Sequence, residues 1–176
     1  MERELPRRLV VDRNSLVNLI EVAFRDVGLG RGTLWKEARA LSGEDVRVET
    51  PVERRESALL RWTDVAEDPE WAPGHRLGAW SSLDPVGFRF YLPAAMLRCL
   101  RGGASLGVCH ALTLPMYGDD EICHHRWSLL DEAQRACVRR FAEFMRDLAH
   151  ENGDEGEREA WQDALDGYWN SAPTSA

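Results

Sequence analysis

Lysine is nearly missing from this chain of 176 residues: Lys36 is the only one, and arginine supplies the rest of the 22 basic residues. Those arginines are scattered rather than gathered on one stripe. The footprint of a phosphate-backbone binder is therefore lacking, which excludes nucleic acid as a partner. No stretch approaches the roughly 18 apolar residues of a bilayer-spanning helix, so no membrane partner is implied. Met1 to Val11 offers only the apolar run Leu9-Val10-Val11, far short of a secretory signal. Cys99, Cys109, Cys123 and Cys137 contain no C-x-x-C pair, being 10, 14 and 14 residues apart. That spacing argues against a disulfide scaffold and for reduced thiols in the cytoplasm. Internal repeats and low-complexity segments are absent as well.

What is present is ordinary globular material. Hydrophobic residues make up 44% and charged residues 30%, enough for a core that needs neither disulfide nor metal. The formal charge of -8 is unevenly placed. Between Asp147 and Asp166 eight acids face Arg158 alone, so the C-terminal stretch is acidic and the body nearly neutral. Such a stretch either meets a basic partner or simply solubilises the chain.

The apolar spacing predicts helices. Leu16, Leu19, Ile20, Ala23, Phe24 and Val27 form one stripe over Ser15 to Val27, with Gly28 as its stop. A shorter helix is expected over Thr33 to Ser42. Thr50-Pro51-Val52-Glu53 reads as a capping box opening a third, to about Trp62. From Thr63 to Asp84 the pattern dissolves among Pro69, Pro73, Gly74 and Gly78, yet Trp71 and Trp80 sit inside, so a packed connector is expected. Val86 to Leu92 alternates like a strand, with Val86, Phe88, Phe90 and Leu92 on one face and Gly87, Arg89 and Tyr91 on the other. Pro93 then suits the start of a helix over Ala94 to Arg101. Residues 104 to 130 read as strand or helix, with Pro115 and Gly118 marking a turn. Asp131 and Gln134 open a long helix to about Ala149, and Asp154 and Glu157 cap a last one carrying Trp161, Tyr168 and Trp169.

Few residues suggest chemistry. Gly103-Ala104-Ser105-Leu106-Gly107 matches G-x-S-x-G, with Asp119, Asp120, His124, His125 and His150 downstream in serine-acid-histidine order. A nucleophile elbow needs a strand before its serine, whereas a helix is expected there. Cys109, His110, Cys123, His124 and His125 place metal-type ligands within 17 residues but without a rigid local half-site. Cys109 beside His110 also suggests an activated thiol, although adjacent residues of an extended segment face opposite ways. Arg89 and Tyr91, left together on the far face of the expected strand, are the leading binding candidates. Trp161 and Tyr168 are the second pair, as docking or interface aromatics.

The run Leu83-Asp84-Pro85-Val86-Gly87-Phe88-Arg89-Phe90-Tyr91-Leu92-Pro93-Ala94-Ala95-Met96 resembles the central signature, Gly-Phe-Arg-Phe-Tyr-Leu-Pro-Ala, of an uncharacterised family of small, mostly bacterial proteins. Its other pieces, an amphipathic helix, a Trp-x-Asp segment and a Glu-Gln helix with paired phenylalanines, correspond to Leu16 to Val27, Trp62-Thr63-Asp64 and Gln134 to Phe144. Ser82 stands where that pattern has an aromatic. The resemblance spans Leu16 to Phe144 and implies no activity, so no catalytic residue carries over.

The reading is thus an α+β protein, mainly α-helical, with five to six helices and a small strand element over residues 86–92. Residues 14–150 form a single globular domain, and 151–170 an appended acidic helix docked on it. The function expected is a non-enzymatic protein-binding or accessory factor of inhibitor or immunity type, with another protein as partner and no cofactor. The competing class is a small hydrolase or metal-binding enzyme using the Ser105 loop or the Cys109–His125 segment.

Overall fold

The computed structural model describes residues 6–47, 49–57, 59–73, 78–115 and 120–171; Gly74, Gly118 and the candidate acid Asp119 lie outside them. Among the described residues ten α-helices follow one another: α1 (Arg7–Ala23), α2 (Trp35–Leu41), α3 (Pro51–Ser57), α4 (Trp62–Glu67), α5 (Gly78–Ser82), α6 (Pro85–Leu100), α7 (Leu106–Leu112), α8 (Asp120–Trp127), α9 (Glu132–Asn152) and α10 (Glu155–Ala164). A π-helical turn, Leu165–Trp169, extends α10. Among the described residues there is no strand, only an isolated antiparallel bridge between Gly28 and Arg61. None of their helices is long and apolar enough to cross a membrane. The fold is all-α, which corrects the α+β expectation and its count of five to six helices.

The correction centres on α6. The residues expected to form a strand are the first half of this helix, and twelve of its sixteen residues are buried. A helix enclosed on every side has no polar face to print a 3.6-residue period, so its apolar run is indistinguishable from a buried strand. The start signal lies at Asp84, whose carboxylate accepts the Gly87 N–H at 2.9 Å with Pro85 in the first turn. Pro93, expected to open a helix, sits inside this one, where it has no N–H for the Arg89 carbonyl.

α6 is the central beam. It packs against α1, α4, α7 and α8, while α9 holds α1 on one side and α10 with the π turn on another. Two polar joints tie it down. Asp84 Oδ1 also accepts the Thr33 N–H at 2.8 Å, and Gly87 lets that chain come close: a Cβ there would lie 2.6 Å from the Thr33 carbonyl. Buried Gln134 of α9 accepts from Arg89 Nε at 2.9 Å and donates to the Ala23 carbonyl at 3.0 Å, joining α1, α6 and α9.

Five tryptophans use their indole N–H groups as latches, four of them between separate segments. Trp62 reaches Phe24 O at 2.7 Å, Trp80 reaches Pro73 O at 2.8 Å, and Trp127 reaches Ala111 O at 3.2 Å. Trp169 reaches Leu112 O at 2.8 Å, and Trp161 reaches Glu157 Oε1 at 3.2 Å. Each matched donor removes the desolvation penalty of a buried polar group while its ring fills core volume.

Candidate functional site

Among the described residues, the reactive groups singled out from the sequence are not assembled into a catalytic constellation. Ser105 is buried at the start of α7, and its hydroxyl donates to Glu157, which also holds Trp161. Helix α6 precedes that serine, and no sheet exists among the described residues to raise it as a nucleophile elbow. On α7, Cys109 is fully buried while His110 is exposed; on α8, Cys123 is buried and His124 and His125 face outward. The helical turn thus separates each thiol from its neighbouring imidazole. Among the described residues no group of three or more His, Cys, Asp or Glu side chains is placed to hold a metal. All four thiols are free and buried. Burial pushes those of Cys99, Cys109 and Cys137 up to about 12, the opposite of activation.

Arg89 and Tyr91 do not share a face. Two positions along a helix are separated by roughly 200° about its axis, so the strand-based pairing dissolves. Arg89 turns toward α9, bonding Gln134 and lying 3.7 Å from Asp131 Oδ2. Tyr91 turns toward α2, where its hydroxyl accepts the Trp35 backbone N–H at 2.9 Å. Trp161 is fully buried, edge-on to Phe141 at 5.5 Å, and fastens α10 to α9. Tyr168 is half-buried, 4.7 Å from the Trp127 ring and 5.2 Å from His124.

The molecule's concave chemistry lies elsewhere, around Tyr91. A pocket of about 730 Å³ opens between α2, the segment before and after α3, and the connector leading to α5. Its volume falls within the roughly 300–1,000 Å³ typical of ligand sites. Trp35, Trp71 and Tyr91 form its aromatic floor. Trp35 meets Trp71 at 5.4 Å and Tyr91 at 5.3 Å, while Trp71 and Tyr91 stack at 6.0 Å. Burial first, then the nearby Glu49 and Glu37 carboxylates, raises the Tyr91 phenol to about 12 and keeps it neutral. The rim alternates charges: Lys36 Nζ lies 3.4 Å from Glu49, and Arg39 Nε bonds Glu44 at 2.7 Å. Trp71 is 7% exposed, and among the described residues its enclosed indole N–H has no acceptor. An unmet buried donor costs about 1–3 kcal/mol, so this ring departs from the latching pattern of the other five.

α3 borders this pocket without entering the core. None of its residues is buried. Arg54 anchors it through Glu37 at 3.2 Å and the Gly32 carbonyl at 2.9 Å, and Ser57 donates to Glu49 at 2.9 Å. The expected capping box is realised, with the Thr50 N–H on Glu53 at 2.8 Å and the Glu53 N–H on the Thr50 hydroxyl at 3.3 Å.

A family model described as a family of unknown function, DUF6714, matches residues 12–173. The chain belongs to that family. No curated protein and no solved structure matches it. The DUF6714 match runs from α1 through the π turn and so includes the acidic helix that the sequence resemblance left outside. In this DUF6714 chain the Asp84–Tyr91 run is a set of joints: cap, close approach, bridge to α9 and acceptor for α2. Sequence reasoning missed the pocket. Trp71 in a proline-broken connector was its one visible sign, whereas Trp35, Lys36, Glu44 and Glu49 carried no motif.

Proposed function

We propose that this protein is a non-enzymatic accessory protein that takes a segment of a partner polypeptide into the pocket floored by Trp35, Trp71 and Tyr91. The observation that carries this reading is the floor of three packed rings, Trp35, Trp71 and Tyr91, in a cavity of about 730 Å³. A peptide supplies what such a lining asks for: apolar side chains for the rings and a polar backbone for the charged rim. Exposed Leu59 and Leu60 beside the opening extend the apolar surface available to that segment. Both cations of the lining, Lys36 and Arg39, are already paired, and its described residues include no cysteine or histidine, which favours binding over turnover. Four free thiols fit a reducing compartment and hence the cytoplasm. Inhibitor or immunity-type action remains the natural role for a small protein that works by occupying a partner.

The test is selection of a displayed random peptide library on the wild type and on Ala72→Trp. Ala72 lines the pocket and is exposed, so the larger ring fills the site without entering the core. Enriched peptides should bind the wild type more than about tenfold tighter than the filled variant, matching the one to three kcal/mol, roughly, of a buried anchor. Equal binding to both proteins would refute the reading.

A further inference from the structure

We infer that the pocket's occupant is cationic: a lysine or arginine side chain of the partner segment, its stem on the aromatic floor and its charge among the rim carboxylates. The inference rests on the peptide-binding reading above and adds the chemistry of the anchor. A second recess of about 250 Å³ adjoins the pocket and shares Lys36, Glu49, Ser57 and Leu60 with it. Together the two are lined by Glu44, Glu49, Glu53, Glu56, Asp68 and Glu70 against Lys36 and Arg39. Both of those cations are already engaged, by Glu49 and Glu44, and Glu53 holds Arg47 at 2.6 Å.

That leaves Glu56, Asp68 and Glu70 without a cation partner among the described residues. Asp68 accepts the Glu70 N–H at 2.9 Å, while nearby Arg98 donates to its backbone carbonyl rather than to its carboxylate. An anionic anchor would meet this surplus unfavourably, and a neutral one would leave it uncompensated. A lysine or arginine matches every part of the lining. Its aliphatic stem suits Leu34, Leu60, Val65 and the ring faces, and its charge suits tryptophan and the carboxylates left over. A free alkylamine brings no neighbouring side chains to the exposed Leu59 and Leu60, which is why the cation is assigned to a polypeptide.

The experiment titrates the ¹⁵N-labelled full chain with acetyl-Leu-X-Leu-amide, where X is Lys, Arg, Gln or Glu, and with n-butylammonium. The indole resonance of Trp71 is assigned by its loss in Trp71→Phe. The Lys and Arg peptides should shift it and bind about tenfold tighter than the Gln peptide, more weakly as salt rises from about 50 to 500 mM. Asp68→Asn combined with Glu70→Gln should erase that preference, with the Gln peptide unaffected. If the Gln peptide binds as well as the Lys peptide, the cationic anchor is wrong and the peptide site stands. If n-butylammonium shifts Trp71 as strongly as the Lys peptide, the polypeptide assignment is wrong. If no probe shifts it, both fall.

Discussion

The tail side and the pocket side of this molecule use the same residue, tryptophan, in opposite ways. On the tail side, Trp127, Trp161 and Trp169 are almost fully buried and every indole N–H has an acceptor. Ser105, Glu157 and Trp161 form one relay that closes α10 onto α7. On the pocket side, Trp71 is buried with its donor unmet among the described residues, and the adjoining α3 buries no side chain and is anchored through Arg54 and Ser57. A tryptophan whose polar atom is satisfied internally is architecture. One left unsatisfied beside a cavity is a weaker joint, which costs stability instead of adding to it.

The largest expected effect separates the sides by pH. Burial raises Cys99, Cys109 and Cys137 from 9.0 to about 12, and these thiols lie on α6, α7 and α9. The folded pKa exceeds the unfolded one, so this contribution is complete below pH 9.0 and declines as pH rises toward about 12. Each such thiol should remove about 1.4 kcal/mol per pH unit within that window. Tyr91, the only comparable group on the pocket side, begins one step later, from 10.0. Urea unfolding across the alkaline range measures the slope. A curve flat to pH 11 or so would mean that the thiols are hydrated, and the tail side would lose its claim to a dry core.

Next come substitutions. Trp161→Ala should cost about 3–5 kcal/mol, the range for emptying a fully enclosed large ring. Conservative changes sharpen the contrast further. Trp169→Phe strands the Leu112 carbonyl and leaves a void, and should cost about 2–3 kcal/mol. Trp71→Phe removes an unmet donor along with its volume, so the two terms offset and the cost should stay below about 1 kcal/mol. Denaturant midpoints of the two variants decide the matter, and equal losses would erase the distinction on which the pocket rests.

The tail side was also the more legible from sequence, for a physical reason. α1 and α9 each have one wet face, so Leu16, Ile20 and Phe24, and Cys137, Phe141 and Phe144, repeat at helical spacing. The caps at Asp131 and Asp154, and the stop at Gly153 with φ of 75°, are local chemistry that a few residues spell out. α6 is enclosed, so Val86, Phe88, Phe90 and Leu92 alternate by accident while Gly87, Tyr91 and Pro93 between them are buried too. The third expected helix, read to about Trp62, ends at Ser57, and α4 begins at Trp62 and runs into the stretch read as a connector. The pocket was illegible because its lining comes from positions 34 to 91, joined only by the packing of α2 on α5 and α4 on α6.

The smallest effect tests how loosely the pocket side is held. Glu53 is drawn down to about 2, first by its bond from Arg47 and then by the Thr50 groups of its capping box. Its folded pKa lies below the ordinary value of 4.5, so its support for α3 is present above about 4.5 and fades as pH falls toward 2. Because the carboxylate is exposed, the loss should be local, seen as faster amide exchange over α3 with the global midpoint unchanged. Arg54→Ala should act alike at neutral pH, freeing the Glu37 and Gly32 contacts and speeding exchange over α3. Its effect on global stability should stay within about 1 kcal/mol. The opposite pattern, slow exchange in α3 with a falling global midpoint, would place that helix inside the cooperative core. The contrast between a welded tail side and a polar-held pocket side would then reduce to the single orphaned indole of Trp71.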